Sequence, residues 1–291
     1  MSLSIAHLGP RGTNAETAAA IYKKHLRRGS AIEIKLCPYP GIAQTLWAVA
    51  QQTVDLAVVP VENSIEGSVA ITLDTLWQVG TLKIHQALEL PISHALLSWA
   101  QNLSQIRQVY SHPQALGQCQ KWLDQHLPQV QLIASSSTTE AIQHLDPKGS
   151  MGAIASPRAG QLYQIPLLAP DINDYPDNCT RFWVVSLKPS LGGSHTSLAF
   201  SLPANVPGVL VKPLQTFAQR EINLSRIESR PTKQSFGTYL FFIDIEADVE
   251  SAEVQAALAE LSSYTETLKI FGSYTILNAD LGASPQSPGE F

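Results

Sequence analysis

Residues 55–61 read DLAVVPV, an apolar run followed at once by Glu62, Asn63 and Ser64. A run this short, with no polar face and polar residues at both ends, is a buried strand. Shorter runs of the same kind recur, and most are followed by a helical stretch. Ser4–Leu8 is a strand, Gly9-Pro10-Arg11-Gly12 a turn, and Thr13-x-x-Glu16 a capping box that opens an Ala-rich helix to about Leu26. Ile32–Leu36 is the next strand, Gly41–Gln52 and Ser68–Val79 are helical, and Leu82–Leu90 is extended. The grammar then repeats: strands at Arg107–Tyr110, Gln131–Ala134 and Gly152–Ala155 alternate with helices at Pro113–His126, Thr138–Leu145 and Pro157–Tyr163. The alternation predicts an α/β fold with a largely parallel sheet, in two lobes separated by Leu90–Ser98.

A Pro/Gly/Ser linker, Leu187–His195, ends this pattern. Beyond it the expected order is strand Thr196–Leu202, helix Gly208–Arg220, strands Ile222–Glu228 and Thr238–Ala247, helix Glu253–Tyr264 and strand Leu268–Tyr274. That is βαββαβ, a ferredoxin-like order. Ala283–Phe291 (ASPQSPGEF) reads as a disordered tail.

Composition narrows the function classes. The 291 residues are 44% hydrophobic and 15% charged, with a formal net charge of −5. This is a globular composition, and the acidic balance argues against a nucleic acid or an anionic membrane as partner. Three cysteines without CxxC spacing predict reduced thiols and a cytoplasmic protein, and MSLSIAHLGP lacks the order of an export signal. No apolar stretch approaches the ~18 residues of a membrane span. The eight histidines show neither HxxH nor HExxH, no GxSxG occurs, and G-P-R-G is not a dinucleotide fingerprint. No metal or cofactor is therefore expected.

Four polar loops follow buried strands and open helices: Gly9–Thr13, Glu62-Asn63-Ser64, Ser111-His112-Pro113-Gln114 and Ser135–Thr139. Each alone reads as an ordinary helix cap. Together, at the carboxyl ends of α/β strands, they point to a polar cleft that accepts an anion. Asn178–Val185, NCTRFWVV, adds a hydroxyl and a guanidinium at the mouth of a strand. Arg181 reads equally as a surface charge or as a bidentate carboxylate clamp. Glu62 reads as a surface carboxylate or as a positioned acid.

In order and spacing these strings resemble prephenate dehydratase: LGPRGT (Leu8–Thr13), PVENSIEG (Pro60–Gly67), VYSHPQALGQC (Val109–Cys119) and NCTRFWVV. PGVLVKPL (Pro207–Leu214), INLSRIESRP (Ile222–Pro231) and LKIFGSY (Leu268–Tyr274) resemble the regulatory ACT domain of that family. The resemblance spans residues 3–275. It implies a catalytic region at 1–188, two binding-protein-like lobes (1–88 with 178–188, and 89–177), then an ACT domain at 196–277 and a flexible tail at 278–291. It implies conversion of prephenate to phenylpyruvate, inhibition by phenylalanine, and a homodimer or homotetramer. Thr180, Glu62, Asn63, Ser111 and Gln118 take the catalytic positions. Arg181, Phe182, Thr13 and Ser64 take substrate, with Phe182 beneath the ring. Gly208, Val209, Leu210, Glu228, Ser229, Arg230 and Pro231 take the effector. Cys179 is expected to be a small buried neighbour.

Two positions depart from the family's pattern. Asn14 stands where an aromatic is usual, and Val209 where alanine is usual. Two added methyls in an effector pocket would weaken phenylalanine by about 1–3 kcal/mol if they overpack it. An arogenate dehydratase and a non-catalytic amino-acid sensor are the rival readings. An intact Thr180-Arg181-Phe182 argues against the sensor.

Overall fold

The computed structural model describes residues 2–27 and 32–279, so most of the expected tail lies outside the described residues. The first lobe is built on seven strands: β1 (Ser2–Leu8), β2 (Glu33–Tyr39), β3 (Leu56–Asn63), the two-residue β4 (Gly67–Ser68), β5 (Lys83–Pro91), β11 (Cys179–Ser186) and β16 (Ile276–Asn278). Their order is β16-β5-β11-β3-β1-β2, with β4 on β3. The sheet is mixed rather than largely parallel. β1 runs parallel to β2 and β3, but β11 comes back from the other lobe and lies antiparallel between β3 and β5. Helices α1 (Asn14–Leu26), α2 (Ile42–Ala50) and α3 (Ala70–Val79) cover this sheet.

The second lobe has β6 (Ala95–Leu97), β7 (Gln108–Ser111), β8 (Gln131–Ala134), β9 (Met151–Ala155) and β10 (Leu167–Ala169), in the order β10-β6-β9-β7-β8. The helix expected at Pro113–His126 is two helices, α4 (Pro113–Gly117) and α5 (Gln120–His126). The break has a local cause. The Asp174 N–H donates to the Gln118 carbonyl at 2.8 Å, and the Asp174 carboxylate caps the N–H groups of Lys121 and Trp122 at 2.9 and 3.1 Å. Helix α5 therefore starts afresh, and Gln118 is left buried at the junction. The stretch expected as helix at Thr138–Leu145 is a short 3₁₀ segment at Glu140–His144, followed by α6 (Pro157–Tyr163).

β12 (His195–Ser201), β13 (Leu224–Pro231), β14 (Tyr239–Ile245) and β15 (Thr267–Tyr274) form an antiparallel sheet ordered β13-β14-β12-β15, with helices α7 (Val211–Ala218) and α8 (Ala252–Ser262). This is the βαββαβ arrangement. Alternation on β11 decides how it meets the first lobe. Phe182 and Val184 pack toward α1, while Trp183 and Val185 share a core with Leu240, Phe242, Phe271 and Tyr274 of the βαββαβ sheet. The buried Arg226–Asp244 pair (2.7 Å) lies in the same region, with the guanidinium 5.2 Å above the Trp183 ring.

Polar ties fix the contact. Lys83 Nζ donates to the Ile270 carbonyl at 2.7 Å, and Lys269 Nζ to that of Trp77 at 2.6 Å. Arg230 grips both carboxylate oxygens of Asp74 on α3 at 3.1 Å. β16 returns to pair in parallel with β5. Among the described residues no helix is long and apolar enough to cross a membrane.

Candidate active site

Between the two lobes lies a cleft of about 750 Å³. Its first-lobe wall includes Leu8, Thr13, Asn14, Ile42, Pro60, Asn63, Val69, Thr180 and Phe182, and its second-lobe wall His94, His112, Gln114, Gln118 and Ser136–Thr138. The loop ends named by the sequence do converge here, but not every side chain in them does.

Asn63, Gln118, Thr180, Phe182 and Thr13 line the cleft. Asn63 is fixed by its own turn, since its Oδ1 accepts the main-chain N–H groups of Ile65 and Glu66, both at 3.1 Å. Its Nδ2 is thereby aimed outward, donating to Asn178 Oδ1 at 2.8 Å and Thr180 Oγ1 at 2.9 Å. Asn178 Nδ2 in turn donates to Gln118 Oε1 at 2.9 Å. That oxygen also takes His94 Nε2 at 3.0 Å, so Nε2 carries the imidazole hydrogen. Burial holds His94 below the ordinary histidine value, against the pull of Gln118. Gln118 Nε2 reaches Glu66 Oε1 at 3.3 Å. The result is one chain of hydrogen bonds that starts at a main-chain turn in the first lobe and converges on Gln118 Oε1, which accepts from Asn178 and from His94. Because Thr180 Oγ1 accepts from Asn63, its own hydrogen is left to donate into the cleft.

Other expected site residues lie elsewhere. Arg181 is on the far face of β11, one residue out of phase with Thr180. Its guanidinium is held by Glu89 (Nη2 2.7 Å, Nε 3.1 Å), with Glu62 at 3.7 Å. Neither Arg181 nor Glu62 is among the residues lining the cleft. Ser111 is buried and donates to the Ile154 carbonyl at 2.7 Å. Ser64 Oγ accepts the Cys179 N–H at 2.9 Å. Neither is among the residues lining the cleft. Cys179 is half-buried, and burial pushes its thiol up.

The chain also contains Asn178, Glu66 and His94, which were not singled out as site residues. Asn178 opens the NCTRFWVV string and Glu66 lies within ENSIEG, so both were within reach of the motifs; nothing in the sequence marks His94. Among the described residues no group of three or more His, Cys, Asp or Glu is gathered that could hold a metal ion.

In the βαββαβ unit a small cavity of about 50 Å³ is lined by Val209, Asn205, Gly237 and Tyr239, among others. Gly208 precedes it at φ +78°, a left-handed turn that favours glycine. Glu228–Pro231 lie along β13 and do not line this cavity; Arg230 faces Asp74 instead.

The lobes are clasped beside the cleft. Glu16 on α1 accepts Gly12 N–H at 2.7 Å and Arg158 of α6 at 2.8 Å, and Ser156 Oγ donates to the Gly12 carbonyl at 3.3 Å. Gly12 has φ +88°, and an added Cβ would come within 3.2 Å of Tyr163 and 3.3 Å of Thr139 across the junction. Asn14, at the first turn of α1, faces the cleft.

Comparison with known proteins agrees with this geometry. The family model for prephenate dehydratase matches residues 5–190, and that for the ACT domain matches residues 196–263. A bifunctional chorismate mutase/prephenate dehydratase of Aquifex aeolicus is 38% identical over 94% of this chain and 73% of its own length. A prephenate dehydratase of Lactococcus lactis is 32% identical over 96% of this chain and its full length. The crystal structure of prephenate dehydratase from Arthrobacter aurescens in complex with L-Phe superposes with a TM-score of 0.81 at 34% identity, covering 98% of this chain and 94% of that one.

Burial alone would raise the Glu16 carboxyl, but the Gly12 N–H and Arg158 hold it below the ordinary glutamate value. A depressed folded value means its stabilisation is complete above pH ~4.5 and fades as pH falls toward that value. Urea unfolding should therefore show a gap between wild type and Glu16→Gln that is constant above pH ~5 and narrows below it. A gap that widens on acidification would contradict this assignment.

Proposed function

The chain belongs to the prephenate dehydratase family and carries an ACT domain, and we propose on that premise that its cleft converts prephenate to phenylpyruvate. The observation that carries this reading is the Thr180 hydroxyl, which lines the cleft and accepts from Asn63, leaving its own hydrogen free to donate. Prephenate bears a ring carboxylate and, para to it, a hydroxyl. The bond from ring to carboxylate breaks, its electron pair enters the ring, and the carbon–oxygen bond to the hydroxyl breaks. Carbon dioxide departs, and the hydroxide takes one proton to leave as water. Aromatisation supplies the driving force, so the protein's task is to hold the substrate and to stabilise the leaving oxygen.

A neutral hydroxyl is a poor general acid at neutral pH. Thr180 acts here as a hydrogen-bond donor to the oxygen as charge builds on it, the proton itself coming from solvent. One such positioned donor contributes roughly 10²–10³-fold in kcat. Asn63 orients Thr180, Asn178 and Gln118 carry the chain to the second lobe, and Phe182 supports the ring. Thr180→Val, which keeps the shape and removes the donor, should lower kcat by about 10²–10³ with KM changed far less. Full activity in this variant would remove Thr180 from the mechanism. Parallel rates on prephenate and arogenate decide between the two substrates. A protein that turns over neither is a sensor.

The same reading makes phenylalanine a feedback inhibitor bound by the ACT domain, with the chain cytoplasmic and homo-oligomeric through that domain. The L-Phe complex of the Arthrobacter relative supports the effector. A route to the cleft runs from Arg230 on β13 to Asp74 on α3. At the start of α3, the Val69 N–H bonds Val61 O at 2.8 Å and Thr72 Oγ1 bonds Pro60 O at 2.6 Å, and Pro60 and Val69 line the cleft. Asp74→Asn should raise the phenylalanine concentration for half-inhibition about tenfold or more, with uninhibited kcat within about twofold. An unchanged inhibition curve would exclude this route.

A further inference from the structure

Prephenate is a dianion, and the cleft proposed for it is lined, among the described residues, by neither lysine nor arginine. Each cation nearby is committed elsewhere. Arg181 is on the opposite face of its strand, bound to Glu89. Arg158 is bound to Glu16 at 2.8 Å, and the largely exposed Arg11 lies 3.7 Å from the same carboxylate. Of the lining histidines, His94 is buried with Nε2 donating to Gln118. His112 caps α4, its Nδ1 accepting the Gln114 N–H at 3.3 Å. The polar lining that remains is uncharged: hydroxyls of Thr13, Ser136, Ser137, Thr138 and Thr180, and amides of Asn14 and Gln114.

Resting on the proposed reaction, we propose that this cleft holds the substrate's negative charge on uncharged donors alone, and that the absence of a guanidinium is what lets the ring carboxylate leave. The ring hydroxyl and ring carboxylate are para, so a hydroxyl placed at Thr180 sends the carboxylate to the far side of the ring, away from the hydrogen-bond chain. The next pair that lines the cleft, past Arg181–Glu62 and a register shift, is Phe182–Pro60, and both residues are apolar. In the starting state the charge is concentrated on the carboxylate; in the transition state it has moved into the ring and onto the departing oxygen. A cation on that carboxylate would stabilise the starting state more than the transition state, tightening binding and slowing the chemical step. Neutral donors hold the substrate without that differential cost.

Gln114 lines the second-lobe wall, where a cation can be introduced. The test compares wild type, Gln114→Arg, Gln114→Met as the uncharged control, and Arg11→Gln, by steady-state turnover of prephenate. Gln114→Arg is expected to lower KM about tenfold and kcat about tenfold or more, while Gln114→Met, which removes one neutral donor and adds no charge, is expected to raise KM rather than lower it. Arg11→Gln is expected to keep KM within about threefold. A kcat that holds or rises in Gln114→Arg, or a fall equalled in Gln114→Met, overturns the proposal. So does a rise of about thirtyfold or more in KM for Arg11→Gln, which would show that this arginine binds substrate. Should Gln114→Arg fail to fold, Asn14→Arg places the cation on the opposite wall with the same expected split between KM and kcat. Loss of prephenate turnover in the wild type would instead refute the reaction itself.

Discussion

The structure turns on the pairing of β11 between β3 and β5. Because this one strand is antiparallel to both neighbours, Thr180 stands opposite Asn63 while Arg181 stands opposite Glu62 and Glu89. Alternate side chains of a strand point to opposite faces. A single segment therefore supplies the cleft with Thr180 and Phe182, and the ACT domain with Trp183 and Val185. A slip of one residue in this register would turn Arg181 to the cleft and Thr180 to the face of Glu62 and Glu89. The Glu89–Arg181 pair and the Trp183 core oppose such a slip.

From that strand the polar chain runs to Gln118. Main-chain N–H groups of Ile65 and Glu66 fix the face of the Asn63 amide, Asn63 then donates to Asn178 and Asn178 to Gln118, whose Oε1 also accepts from His94. The chain spans both lobes through Asn178 and Gln118. Closure of the lobes and orientation of the Thr180 hydroxyl are thus parts of one network, and such buried networks hold well only when every member is satisfied. The ACT domain is tied to the first lobe through Asp74, Trp77, Lys83 and strand β16. An effector acting on β13 consequently bears on the lobe that carries Thr180.

Much of this was legible in the sequence because local signals were strong. The capping box at Thr13–Glu16, the buried run at 55–61 and the βαββαβ order all rest on patterns a few residues long. The family motifs marked Asn63, Gln118 and Thr180. What escaped was set by contacts distant in sequence. Helix α4 ends where it does because Asp174, some 50 residues on, takes its last carbonyl and caps its successor. Arg181 looked as available as Thr180 because motif strings carry no face, and its fate depended on Glu89. Asn14, which stands where the family's pattern has an aromatic, faces the cleft.

In the proposed mechanism Asn63 acts on the reaction through Thr180, by fixing which way the hydroxyl hydrogen points. A double-mutant cycle on kcat with Asn63→Ala and Thr180→Val, at a temperature where all four proteins are folded, tests this most directly. If the two residues act as one unit, the double variant will be no slower than Thr180→Val alone. If their losses multiply, Asn63 acts independently of Thr180, and the account of the hydrogen-bond chain is wrong.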